Sequence, residues 1–197
     1  PTELLGRRIF ALHPHQDRFV LPLDAVHHVP DSVPDDRAAL AASMETAVNA
    51  LWDATPRLGD RIVVIGAGVI GSCVARLAQS LAGVQVTLVD RNPDRAGLAD
   101  AFGVSFALPE AAPEDADLVI VSVPVGASGS VAAEIAGTLK PGAIVTDVGS
   151  TKRSVLEQME PVLPKTVHFI PGHPIAGTEH SGPDAGFAGL FEGRWCI

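Results

Sequence analysis

The sequence predicts an α/β fold: a doubly wound parallel sheet with helices on both faces, preceded by a short N-terminal β/α appendage. Three observations carry this. From Arg61 onward short apolar runs alternate with stretches of helical period, as consecutive βαβ units require. The runs are continuously apolar, the pattern of strands covered on both faces. A glycine-rich turn, "IGAGVIGS", joins the first run to the first helix. At 197 residues with 47% apolar side chains, the chain can bury a real core and add a smaller appendage.

The elements follow in order. Residues 7–28 hold two apolar stretches, "RIFAL" and "RFVLPL", broken by "HPHQD" and "PLD", which read as a few short strands with tight loops. "DSVPDD" supplies helix-start chemistry, a proline and acidic residues, for the helical pattern "RAALAASMETAVNALWDA". That helix should stop before Pro56, and "PRLGD" then leads into the main domain. The expected division is therefore residues 1–57, partial β segments plus a helix, and 58–197, the parallel sheet with its helices. In the latter, "RIVVI" is a first strand and Val69 to Leu81 a helix with Ile70, Val74, Leu77 and Leu81 on one face. "VQVTLV", "VSFAL", "ADLVIVSV", "AIVTDV" and "VHFI" continue the sheet to six strands. "PDRAGLADAF", "GSVAAEIAGTL" and "KRSVLEQMEPVL" are the helices between them.

Gly66, Gly68 and Gly71 stand directly after a strand and at the opening of a helix. In the Rossmann pattern the first such glycine permits a tight turn, the second lets backbone approach a pyrophosphate, and the third allows close helix–strand packing. Alone the pattern is weak. It gains specificity from Asp90 at the end of the second strand, where a carboxylate accepts hydrogen bonds from ribose hydroxyls. Cofactor contacts are expected from Gly66, Gly68, Val69, Ile70 and Gly71, from Asp90 and Arg91, and from Val123 and Pro124 after the fourth strand. Asp90 repels a 2′-phosphate, so NAD is favoured over NADP; Arg91 and Arg95 are the residues that qualify this preference.

In open parallel sheets ligands bind beyond the carboxyl ends of the strands. After the fifth strand comes "GSTK" with Ser150, and after the sixth "GHP" with His173, followed by Glu179. All lie on the rim that carries the glycine turn. A neutral imidazole can take the proton of a substrate hydroxyl while the cofactor takes a hydride, so His173 reads as a base. Ser150 either assists it or caps the following helix, and both roles remain open; Glu179 tunes the histidine or sits solvated at the mouth.

Composition excludes several classes. The net charge of −9, from 14 basic and 23 acidic side chains, opposes nucleic acid and anionic lipid surfaces. There is neither an apolar run of about 20 residues nor a secretory pattern at the start, so the expected location is the cytoplasm. Cys73 and Cys196 fit no metal spacing and read as reduced thiols. His13, His15, His27 and His28 read as loop and strand-edge residues, and Glu45 alone cannot hold a tetrahedral metal, so no metal site is expected. The chain begins at Pro1 and stops in the apolar "GRWCI", which reads as a segment of something longer.

Two resemblances complete the reading. Residues from about 117 to 197, with "VPVG", "LKPGAIVTDVGSTK" and "FIPGHPIAGTEHSGPDAGFAGLFEGRWCI", closely resemble prephenate dehydrogenases, including the cyclohexadienyl and arogenate types. Residues from about 5 to 116 resemble zinc-type medium-chain alcohol dehydrogenases, through "RIFALHPHQDRFVLP", "VPDSVPDDRAALAASMETAVNALWDA" and "GDRIVVIGAGVIGSCVARLAQSLAGVQVTLVDRNPDRA". Together they suggest a chimera with its seam near residues 115–123. The first resemblance implies oxidative decarboxylation of prephenate or arogenate with NAD, a step of tyrosine biosynthesis. His173 would meet the ring hydroxyl, Ser150 would assist it, and Glu179 would lie at the substrate pocket. It also implies a homodimer and a helical C-terminal domain beyond residue 197. The second family's zinc ligands are missing. A zinc-type dehydrogenase fragment and a non-catalytic NAD-binding module are the alternative readings.

Overall fold

The computed structural model describes residues 4–13 and 16–172. These fall into two compact units, residues 4–42 and residues 43–172. The first is built on a two-stranded antiparallel ribbon, β1 (Ile9–Phe10) against β2 (His27–His28), with Ile9 opposite His28. Arg8 organises this unit. Its Nη1 donates to the Val33 carbonyl and to Asp35 Oδ1, both at 2.7 Å, and its Nη2 donates to the Pro30 carbonyl at 2.9 Å. Asp35 opens a short helix, α1 (Asp35–Ala38).

The sequence expectation differs here. "RFVLPL" forms no strand: Pro22 lacks an N–H and instead opens a 3-10 turn at Leu23–Ala25, and Val20 is 93% exposed. The expected helix from Arg37 is also interrupted, so that α2 begins afresh at Ala41 and runs to Ala54.

The second unit is a six-stranded, all-parallel sheet. Its strands are β3 (Arg61–Ile65), β4 (Gln85–Val89), β5 (Ser105–Ala107), β6 (Leu118–Val121), β7 (Ile144–Asp147) and β8 (His168–Ile170). They lie in the order β5-β4-β3-β6-β7-β8. The chain thus works outward from β3 in one direction, returns, and works outward in the other, which is the Rossmann arrangement. Ile62 is paired with both Val86 and Leu118, so β3 and its two neighbours are aligned across the centre.

The helices are α3 (Val69–Ala78), α4 (Ala96–Phe102), α5 (Ser128–Ile135) and α6 (Lys152–Met159). Strand periodicity sorts the apolar runs into two cores. Ile62, Val64, Leu118 and Ile120 face Cys73, Val74 and Ala78 of α3, Ala99 of α4, and Ala47, Ala50 and Ala54 of α2. Val63, Val119, Val121 and Val145 face the other way, onto Val131 and Ala132 of α5 and Val155 and Met159 of α6. All four residues of β6 are buried, which explains why its sequence is apolar without alternation. The two units part between Ala42 and Ser43 because the three buried alanines of α2 belong to the sheet's core.

α4 ends on Gly103 in the left-handed conformation at φ 73°, and its predicted first turn, Pro93–Arg95, is 3-10 with Asn92 accepting from the Asp94 N–H.

Candidate functional site

The carboxyl ends of the strands build the site. Beyond β3 the chain turns at Gly66, where φ is +104° and an added Cβ would lie 2.5 Å from the Ser122 carbonyl oxygen. Only glycine fits there. Gly68 precedes α3 as its N-cap and has nothing within 4 Å of an added Cβ, so this backbone is open to an approaching group. Gly71 is the opposite case, since an added Cβ would overlap the Gly66 carbonyl. The three glycines therefore serve turn, access and packing respectively. Val69 and Ile70 open α3, whose first N–H groups lack partners within the helix and favour a bound anion.

Asp90 follows β4 and reaches across to the turn. Its Oδ2 accepts the Ala67 N–H at 2.7 Å, and its Oδ1 accepts the Asn92 N–H at 2.9 Å. These bonds fix the carboxylate beside Gly66 while leaving lone pairs for ribose hydroxyls. Beside it lies a cavity of about 400 Å³ that Gly66, Asp90, Arg91, Val123 and Pro124 all line. That volume and the mixture of apolar wall with a few polar groups suit the adenosine part of a dinucleotide. The glycine cradle and Asp90 together fit such a cofactor.

The other end of the rim is organised by charge. Asp147 ends β7 and is 1% exposed. Its Oδ2 accepts the Gly149 N–H at 2.7 Å and pairs with the Lys152 ammonium, which also donates to the Gly172 carbonyl at 3.1 Å. Lys152 thus ties the loop after β7 to the loop after β8, one residue before His173. Asp147 Oδ1, Asp53 Oδ2 and Ser122 Oγ are buried without a hydrogen-bond partner among the described residues. Ser150 is exposed in the loop after β7. It is not the helix cap: Thr151 occupies that position in α6, and its side chain makes no capping bond. His173, Glu179, His15 and Cys196 lie outside the described residues.

Sequence reasoning missed two groups. Lys152 had a partial signal, a basic residue shortly after a strand ending in aspartate. Glu134 had none: it lies on α5, lines the same cavity, and its Oε1 accepts from Arg91 Nη2 at 2.5 Å. Glu45 is exposed on α2, and among the described residues no group of three or more His, Cys, Asp or Glu side chains could hold a metal ion. No helix of the described residues is long and apolar enough to cross a membrane. Burial raises the pKa of the Cys73 thiol.

Residues 74–197 match the family pattern described as the prephenate dehydrogenase nucleotide-binding domain. The chain belongs to the prephenate dehydrogenase family. The match starts within α3, so its range takes in residues 115–123, where the sequence alone suggests a seam. A cyclohexadienyl dehydrogenase of Zymomonas mobilis is 44% identical over 136 residues, which are 66% of this chain and 46% of that protein. The crystal structure of prephenate dehydrogenase from A. aeolicus, solved with hydroxyphenyl propionate and NAD+, superposes with a TM-score of 0.51 at 30% identity. It covers 68% of this chain and 48% of that one. An alcohol dehydrogenase from Thermus sp. ATN1 superposes with a TM-score of 0.55 at 26% identity, covering 74% of this chain and 46% of its own. The chain thus spans less than half the length of these prephenate dehydrogenase relatives.

Proposed function

We propose that the chain is the NAD-binding part of a dehydrogenase that oxidatively decarboxylates prephenate or arogenate, with His173 as its base. The observation that carries the proposal is the Asp90 carboxylate locked beside the glycine turn, on the same strand-end rim to which Lys152 ties the Gly172 carbonyl.

NAD, when bound, would supply the acceptor for the hydride from the substrate's hydroxyl-bearing carbon. Asp90 would hold the ribose hydroxyls, Gly66, Gly68 and the opening of α3 would receive the pyrophosphate, and Val123 and Pro124 would form the wall. His173 accepts the hydroxyl proton as the carbonyl forms. The bond to the ring carboxylate then breaks and carbon dioxide leaves; the released electron pair completes the aromatic ring and pushes the carbonyl pair onto oxygen, which takes the proton back from His173. Ser150 holds the hydroxyl or the imidazole, and Glu179 sets the charge at the pocket mouth. The medium-chain likeness is read as a shared nucleotide-binding architecture. A homodimer is expected, so light scattering of the purified chain should give about twice its 20.4 kDa mass, and a monomer mass would contradict this.

The test is NADH formation from prephenate, and separately from arogenate, by the wild-type chain and by His173→Asn. The expected result is turnover with one of the two that falls at least a hundredfold in the variant. Equal rates in both proteins would remove His173 from the chemistry. Tight NAD binding with no turnover of either substrate would favour a non-catalytic binding module.

A further inference from the structure

We propose that Glu134 determines the dinucleotide preference of the cavity beside Asp90 by holding the Arg91 guanidinium. This rests on the reading of that cavity as the adenosine side of an NAD site.

Arg91 follows directly on the residue that addresses the ribose, where an arginine can receive a 2′-phosphate as a bidentate donor. Among the described residues lining the cavity it is the sole cation, against the carboxylates of Asp90, Glu110, Glu114 and Glu134. Its guanidinium is committed elsewhere: Nη2 donates to Glu134 Oε1 at 2.5 Å, joining the loop after β4 to the last turn of α5. Glu134 therefore acts twice against a 2′-phosphate. It takes up Nη2, one donor of the fork that would receive the phosphate, and it adds a negative charge to the cavity wall. A ribose bearing free hydroxyls needs neither the fork nor a positive wall, because Asp90 alone serves it. Both side chains are substantially exposed, 71% for Arg91 and 49% for Glu134, so removing the acid frees the guanidinium at modest cost to stability.

The experiment is calorimetric titration of NAD and NADP into the wild-type chain, Glu134→Gln, Arg91→Ala and the double variant, with circular dichroism to check folding. The wild type should prefer NAD. Glu134→Gln should raise NADP affinity relative to NAD by about fivefold to tenfold, the scale of an exposed pair plus one removed repulsion. That gain should largely vanish in the Arg91→Ala background. An unchanged ratio in Glu134→Gln, or an equal gain without Arg91, overturns this proposal alone. Binding of neither nucleotide by the wild type overturns the reading of the cavity and this proposal with it.

Discussion

Lys152→Met tests how the rim is held together. Asp147 is 1% exposed and its carboxylate has two described partners, the Gly149 N–H and the Lys152 ammonium. Methionine keeps the apolar stem and removes the charge, so the carboxylate stays in place with one donor remaining. Stranding one member of a fully buried ion pair costs about 3–5 kcal/mol. Lys152 keeps 22% of its side chain exposed, and the Gly149 bond survives, so the loss should be smaller, about 2 kcal/mol. For a domain of this size that is a fall of roughly 4–8 °C in Tm. Urea unfolding followed by circular dichroism should show a lower midpoint at unchanged slope. Asp147→Asn combined with Lys152→Met should recover at least half of the loss, since a neutral amide still accepts from Gly149. A loss below about 0.5 kcal/mol, or no recovery in the double variant, would refute the idea that this is a buried pair.

Gly71→Ala should destabilise the sheet by about 2–3 kcal/mol, because its methyl overlaps the Gly66 carbonyl and the backbone must move; Gly68→Ala, in open space, should cost under about 1 kcal/mol, and chemical denaturation separates the two. Asp117 gives an acid-dependent contribution. The Arg61 N–H, then the Lys140 ammonium, hold its pKa below the ordinary carboxylate value, so its stabilisation is present above the unfolded-chain value and is lost as pH falls through the lower folded value. With 38% of that side chain exposed, the contribution is under about 1 kcal/mol; Asp117→Asn should lower stability by that small amount at neutral pH, leave the most acidic end of the curve nearly unchanged, and so flatten the acid arm of a stability–pH curve.

The sheet was legible because burial on both faces writes itself as an unbroken apolar run, as in "RIVVI" and "ADLVIVSV", and helices between such runs leave little choice of topology. The glycine turn and Asp90 were legible because both are set by spacing along the chain. The first unit was less so. A strand exists only where it finds a partner, and Ile9–Phe10 is paired with two histidines that carry no strand signal, while the apolar "RFVLPL" remains unpaired. Arg91 and Glu134 stand 43 residues apart on exposed surface, and nothing local in either segment announces the other. Lys152 was half legible: its place on the rim could be read, but its bond to the Gly172 carbonyl depends on β7 and β8 lying side by side.

The central claim is that this sheet binds NAD through the glycine turn and Asp90. Calorimetric titration of NAD into the wild-type chain and into Asp90→Ala tests it most directly. The account predicts one site per chain in the wild type and affinity at least tenfold weaker in the variant, the loss of about 1.4 kcal/mol or more expected when charge-assisted hydrogen bonds to the ribose are removed. Absence of binding in the wild type, or equal affinity in both proteins, would contradict it.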